Sequence, residues 1–233
     1  MEVKIIAKTD TGKLKPHEFL SGIARRCYSI KTWDHIVKTI TDPTIEGSKK
    51  VDAKKLMTKI IKSGHLSILE FIDYTFSIEN VSVALLGQLS RHRLASFAVT
   101  SLRYNNLTKS DINVTVPKGI DLKDLNEIFY KSISDSYNAY TALIDKGYKP
   151  EQARYVLPQG IRTNIILKMN IRELFHFFDL RNCKRADNEI YDLAKKMLSL
   201  CEGDDPFIFS FAKHNCSDCT KIDTCNIINT KLK

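Results

Sequence analysis

No stretch of this sequence is apolar for long enough to cross a bilayer as a helix. Its first residues, Met1 to Ile6, alternate like a strand instead of passing from a basic run into an apolar one. Neither secretion nor membrane anchoring is expected, and the cytoplasm is the expected compartment. Cysteine is sparse as well. There are six in 233 residues, three of them (Cys216, Cys219, Cys225) crowded near the end, too few and too uneven for a disulfide scaffold. Reduced thiols are the expected state. Repeats, low-complexity tracts and linkers are also missing, so one domain over 1–233 is expected, with a cysteine-containing tail from about 203.

What the sequence has is an ordinary globular balance, 43% hydrophobic and 27% charged, in a length sufficient for one substantial core. The formal net charge of +9 points to anionic partners, whether nucleic acid, nucleotides or phosphorylated cofactors, and charge alone does not separate them. Much of the excess sits in pairs such as Lys49-Lys50, Lys54-Lys55 and Lys195-Lys196, which suit a solvated helix face.

Apolar spacing predicts helices over 17–28 after Pro16, 51–62 ending at Gly64, 81–89, 122–144, a short one from Pro150 to about Leu157, 171–180 and 188–201. Period-two alternation predicts strands over 71–78 and 161–169 and a short one over 114–116, with a loop beginning at His65. The spacing of Phe19, Leu20, Ile23, Ala24 and Cys27 puts Cys27 on an apolar helix face, and Cys201 ends another such stripe.

Two segments put arginines, histidines and small polar groups where an apolar pattern would otherwise continue. One runs from Gln88 through Arg91-His92-Arg93 and Ser101 to Arg103-Tyr104. The other runs from Ala153-Arg154 and Leu157-Pro158 through Asn170, Arg172 and His176 to Arg181. Arginine carries a planar fork of donors that matches phosphate and carbonyl oxygens and stays charged at any working pH. Several converging with Ser and Gln make an anion pocket, and a partly dehydrated Arg can stabilise negative charge developing on a ring. Each element alone has a plainer reading. Arg-His-Arg can serve a helix end, His92 and His176 can be satisfied core histidines, and Arg172-Glu173 can be a surface ion pair.

Arg-His-Arg followed after seven residues by Ser, as in Arg91-His92-Arg93 to Ser101, resembles the signature of the flavin-dependent thymidylate synthases. Gly64-His65 with Ser67 and Glu70, Arg103-Tyr104, Ala153 to Pro158 and the Asn170-to-Arg181 run resemble that family too, in order and spacing, from about Pro16 to Met197. The resemblance implies a single α+β domain, helices around a small mainly antiparallel sheet, and a homotetramer with active sites between subunits. It implies reductive methylation of dUMP to dTMP, with methylene-tetrahydrofolate as carbon donor and FAD reduced by NADPH or NADH as hydride source. By the same resemblance Gln88, Arg91, Val99 (through its backbone N–H), Ser101, Arg103 and Arg154 hold dUMP, and Arg181 faces the uracil ring as the catalytic residue. His65, Ser67, Arg91, His92, Arg93, Asn170, Arg172 and His176 match flavin-contacting positions.

No cysteine nucleophile is required by that reaction. Cys183, beside Asn182 and Lys184, is the one thiol that burial or helix position does not argue against. The chain departs from the family at Ala98-Val99, where polar residues are usual, and at Arg185-Ala186-Asp187. Two alternatives follow: a relative that modifies another pyrimidine nucleotide, and a basic nucleic-acid-binding module with Tyr104 and Phe97 near arginines. The tail has zinc-ligand types in His214, Cys216, Cys219 and Cys225 but no second Cys-x-x-Cys pair, so a reduced tail without metal is expected.

Overall fold

Alternation along the chain is realised as a four-stranded, wholly antiparallel sheet in the order β1-β2-β4-β3, formed by β1 (Glu2–Lys8), β2 (Asp73–Ser82), β3 (Ser96–Val99) and β4 (Arg162–Asn170). The computed structural model describes residues 1–45, 50–107, 113–212 and 225. One face of the sheet carries Tyr74, Phe76 and Ile78 from β2 and Ile165, Leu167 and Met169 from β4, all buried. Helix α8 (Ile171–Arg181) covers that face with Leu174, Phe177 and Phe178, and α9 (Asn188–Asp204) adds Leu193, Ala194, Met197 and Cys201 to the same cluster. Each such side chain contributes about 1.5–3 kcal/mol of burial.

The N-terminal helices α1 (Pro16–Arg26), α2 (Trp33–Thr41) and α3 (Ala53–Lys62) pack beside the sheet, with Ile36, Ile40 and Ala53 forming a small second core. Gly22 lets α1 approach α2, since a Cβ there would lie 2.9 Å from the Trp33 ring. Helix α2 lies where no helix is expected from the reading above, although Thr32 caps it and Ile36 and Ile40 are spaced for it. Cys27 follows α1 as its C-cap and is exposed, which corrects its expected apolar setting. After α3 the chain turns through Gly64 at φ +76, a backbone angle that favours glycine. A 3-10 turn over Leu66–Phe71 follows, so the strand expected from Phe71 starts two residues later.

Strand β2 extends through Val81-Ser82, and α4 (Val83–Leu89) begins only after Ser82 caps it. Val114 forms an isolated bridge to Ile161 in place of a short strand. The helix expected over 122–144 is present as α5 (Leu122–Asp124), a π-helical segment over Leu125–Tyr130 and α6 (Lys131–Asp145). Its apolar stripe is only partly covered by its own chain. Leu122 and Ile128 are 78% and 62% exposed, and among the stripe only Ile133 and Tyr140 are buried. The π segment changes the residues per turn and so rotates one half of the stripe against the other. Helix α7 (Pro150–Ala153) and a 3-10 turn over Arg154–Val156 then lead into β4.

Past the expected tail boundary of about 203, residues through Ala212 pack on the folded body. Helix α10 (Pro206–Phe209) buries Ile208 and Phe209, and Asp205 caps it while also accepting from the backbone and ring of His17. Residues His214, Cys216 and Cys219 lie outside the described residues, and Cys225 is buried.

Candidate active site

Three local structures, α8 among them, frame one cleft. The first is the turn that ends α4. Ser82 opens that helix with its backbone N–H and hydroxyl on the two oxygens of Glu189, at 2.9 and 2.5 Å, while its Oγ accepts from Leu85. Past Leu89 the chain folds tightly, Arg91 N–H to the Gln88 carbonyl and His92 N–H to that of Leu89, which fans out Arg91, His92 and Arg93. The second is α8 itself, opened by the Asn170 side chain accepting from Glu173 N–H at 2.9 Å. The third is the 3-10 turn carrying Leu66 and Glu70.

Between them lies a cleft of about 770 Å³, within the range of ligand sites. Arg91, Arg93 and Arg172 supply positive charge, Leu66, Phe175 and Phe211 apolar wall, and His92, Glu173, His176 and Asp179 further polar lining. Arg172 is held by Glu70, Nη1 to Oε1 at 2.5 Å, with both side chains about half exposed. Glu173 turns the other way, so the surface pairing considered for Arg172-Glu173 is replaced by two different partners.

Glu173 is 5% exposed and His92 3% exposed, and the His92 Nδ1 lies 3.0 Å from Glu173 Oε1. On the opposite side of the ring, Arg181 Nε donates to His92 Nε2 at 3.2 Å, and Arg181 Nη2 donates to the Gln88 carbonyl at 3.4 Å. A nitrogen that accepts from a guanidinium must carry a lone pair, so the proton resides on Nδ1 and is donated to the carboxylate. Burial pushes the His92 pKa down and Glu173 pulls it up, while Arg181 and His176 lower it further, and it settles below the ordinary imidazole value. The ring is therefore neutral at pH 7. Burial also lowers the Arg181 pKa, from a value so high that the group stays charged.

A second cleft, about 490 Å³, is lined by Arg103, Lys149, Glu151, Gln152, Arg154 and Tyr155 and shares no lining residue with the first. Arg103 Nη2 meets Glu151 Oε2 at 3.1 Å, and the Arg103 and Arg154 guanidiniums lie over the Tyr104 and Tyr155 rings at 5.5 and 5.9 Å. Ser101 stands at the start of the same turn, its Oγ accepting from Arg103 N–H at 3.3 Å.

The expected residues thus fall into two groups within one chain. Arg91, His92, Arg93, Arg172 and His176 line the first cleft, with Gln88 and Arg181 behind His92. Ser101, Arg103 and Arg154 gather at the second. Val99 lies on edge strand β3. Thr100 N–H donates inward to the Asn164 carbonyl, so alternation turns the Val99 N–H toward the open edge. Asn170 is engaged as a helix cap. His65 and Ser67 are exposed on either side of Leu66, and only Leu66 lines the cleft. The sequence reading missed Glu173 as the partner of His92, and Phe175 and Phe211 as cleft wall. The spacing of Glu173, Phe177 and Arg181 along one face of α8 was the available signal. Among the described residues, no cysteine lines either cleft, and Cys27 is exposed away from both.

The family model for thymidylate synthase complementing proteins matches residues 10–207. Among curated relatives, the flavin-dependent thymidylate synthase of Sulfolobus acidocaldarius is 36% identical over 216 residues, 93% of this chain and 78% of that one. The one from Geobacter sulfurreducens is 37% identical over 202 residues, 86% of this chain and 84% of that one. Among solved structures, the flavin-dependent thymidylate synthase of Helicobacter pylori, complexed with FAD and dUMP, aligns with a TM-score of 0.69 at 23% identity. That alignment covers 91% of this chain and 100% of the other, a likeness of fold.

Proposed function

This chain belongs to the thymidylate synthase complementing protein family, and from that premise we propose how its two clefts serve one reaction. Its activity is that of a flavin-dependent thymidylate synthase, forming dTMP from dUMP. The observation that carries this reading is the first cleft. Three guanidiniums beside apolar walls of Leu66, Phe175 and Phe211 fit FAD, a flat ring system joined to a pyrophosphate. Arg91, Arg93 and Arg172 would hold the pyrophosphate, with His176 toward the rings.

Bound FAD, reduced by NADPH or NADH, supplies the hydride, and methylene-tetrahydrofolate supplies the carbon. The chain binds and orients. Arg181, held from behind by His92 and Gln88, offers its remaining N–H groups to a uracil ring and favours the form ionised at N3, which enriches C5 for attack. The second cleft, with Ser101, Arg103 and Arg154, suits the phosphate of dUMP, and the outward Val99 N–H suits an oxygen of the same nucleotide. Gln88 completes the grip.

Because the two groups occupy separate clefts, the site is completed between subunits: one chain gives Arg181 and the flavin cleft, a neighbour gives Arg103 and Arg154. The exposed Leu122 of α5, the exposed Ile128 and Tyr130 of the π-helical segment and the open edge of β3 supply surfaces for such an assembly, a homotetramer. Within it the chain is one domain, and its compartment is the cytoplasm, in keeping with the absence of any described helix long and apolar enough to cross a membrane.

The test is reduced, flavin-loaded protein given methylene-tetrahydrofolate with dUMP, deoxyuridine or dCMP in turn, with dTMP as the readout. dUMP should give dTMP and outcompete deoxyuridine widely, since deoxyuridine lacks the phosphate that the arginines of the second cleft can hold. Modification of dCMP with no dTMP from dUMP would replace this reading with that of an altered-substrate relative.

A further inference from the structure

Glu173, Phe177 and Arg181 are spaced by four residues along one face of α8, and His92 lies across all three. Its ring meets Phe177 edge-on at 5.0 Å, its Nδ1 meets Glu173, and its Nε2 meets Arg181. Eight residues of helix rise span about 12 Å, so Glu173 and Arg181 reach each other only through a group with a donor at one end and an acceptor at the other. A neutral imidazole is such a group. We propose that His92, oriented by Glu173, is the positioning residue that sets the Arg181 guanidinium against the pyrimidine, so that His92 acts on the pyrimidine from behind the arginine.

This rests on the reading of Arg181 as the residue facing uracil. The physical case has three parts. A carboxylate and an imidazole buried at 5% and 3% exposure would be replaced at little cost by apolar groups if they served only packing. The two bonds that Arg181 makes, to His92 Nε2 and the Gln88 carbonyl, take up Nε and one Nη2 hydrogen and leave the rest of its N–H groups for a ligand. The negative charge of Glu173, carried through Nδ1–H, makes Nε2 a better acceptor, the arrangement by which a carboxylate orients a histidine at many sites.

One consequence separates positioning from packing. His92 faces Glu173, Arg181 and His176 on α8, with Arg91 and Arg93 beside it in its own turn. A proton on Nε2 would abolish its acceptor, set two cations in contact and release Arg181. Turnover should therefore fall on the acid side with a limb that belongs to His92.

The experiment compares His92→Leu, His92→Gln and Arg181→Ala with the parent, each loaded with FAD. Glutamine can still donate to Glu173 and accept from Arg181, yet it does not titrate. His92→Leu should lose about 10- to 100-fold in kcat, the range seen when an orienting partner is removed, with dUMP affinity little changed. His92→Gln should recover most of that loss and lack the acid limb. Equal loss in both variants, or an acid limb that persists in His92→Gln, would overturn the proposal. Turnover retained in Arg181→Ala would instead overturn the uracil-facing reading beneath it. Should His92→Leu not fold, nitrogen NMR of the parent without flavin decides. A neutral His92 protonated at Nδ1 near neutral pH is expected, and a cationic ring or the opposite tautomer would refute it.

Discussion

Replacing Arg181 by alanine should separate flavin binding from chemistry. The guanidinium is fixed by two hydrogen bonds on the inner side of the cleft, at 3.2 Å to His92 Nε2 and 3.4 Å to the Gln88 carbonyl. A preorganised donor aimed at developing negative charge is worth about 2.7–4 kcal/mol, which corresponds to about 10²–10³ in kcat. The folded state loses less. The half-buried arginine leaves its two acceptors, His92 Nε2 and the Gln88 carbonyl, to the water that takes its place, so the cost is that of two ordinary hydrogen bonds, about 1–3 kcal/mol. For a chain of this size that amounts to a drop of several degrees in Tm, at about 2–4 °C per kcal/mol. Arg91, Arg93 and Arg172 are untouched, so the flavin should remain bound. The assay is stopped-flow oxidation of the reduced flavin on addition of methylene-tetrahydrofolate, with and without dUMP, with dTMP measured at the end. A yellow, folded alanine variant that keeps dUMP-dependent oxidation within about tenfold of the parent would refute the role given to Arg181.

Arg172→Ala should weaken FAD binding by tenfold or more while barely changing the stability of the flavin-free protein, because its pair with Glu70 is half exposed and such pairs contribute about 0–1 kcal/mol. Titration calorimetry and a thermal melt check the two halves of that statement. Acid should unfold the protein in two stages. His92 has a folded-state pKa below the ordinary 6.5, so the unfolded chain takes up the proton first and stability falls from about pH 6.5 downward, a slope that His92→Gln should flatten. At Asp205, burial acts to raise the carboxyl pKa, but the hydrogen bonds from His17 and Ile208 outweigh it and hold the pKa below the ordinary value. Its stabilisation is therefore present above about pH 4 and lost as the pH falls through the folded value, and Asp205→Asn should remove that second stage. Denaturant midpoints measured across pH read both.

The elements legible in the sequence were those whose pattern is set by a single buried face. β4 alternates so strictly that Thr163, Ile165, Leu167 and Met169 are all buried, and α8 and α9 keep their apolar stripes against the same sheet. β3 was not legible. Its four residues alternate only between half-buried and exposed, since it lies at the sheet edge and pairs with β4 alone. The long stripe from Leu122 to Ile144 announced a helix correctly but said nothing of what covers it, because periodicity records that a face is apolar and not which chain buries it. Cys27 failed for a related reason: helical spacing extended past the last turn of α1, where the cap turns out to solvent. At the site, the residue types were readable from the motifs, but the pairing was not. Arg172 and Glu173 are neighbours in sequence and point about 100° apart on a helix, which gives one to Glu70 and the other to His92.

The separation of Arg181 from Arg103 and Arg154 into clefts with no common lining residue leads to one last expectation, which requires two inactive proteins to make an active one. If both clefts of a single chain served the same nucleotide, a variant lacking Arg181 and another lacking Arg103 would each be dead at every site, mixed or not. If each site takes Arg181 from one subunit and Arg103 from a neighbour, co-assembled Arg181→Ala and Arg103→Ala chains contain sites where both arginines are intact. With equal amounts and random pairing in a symmetric assembly, such sites number about a quarter of the total, so about a quarter of parental dTMP formation should return. The Arg103→Ala chain is expected to fold, because the bond it loses, to Glu151, lies at 52% and 40% side-chain exposure. The exposed setting also explains how a phosphate could take over Arg103 from Glu151, since a surface ion pair holds its partners by about 1 kcal/mol or less. Co-expression with two affinity tags isolates the mixed assemblies, and the separately purified variants serve as the blank. Recovery near zero in assemblies shown to contain both chains would return the whole site to one subunit and would require the two clefts to join by a movement within the chain.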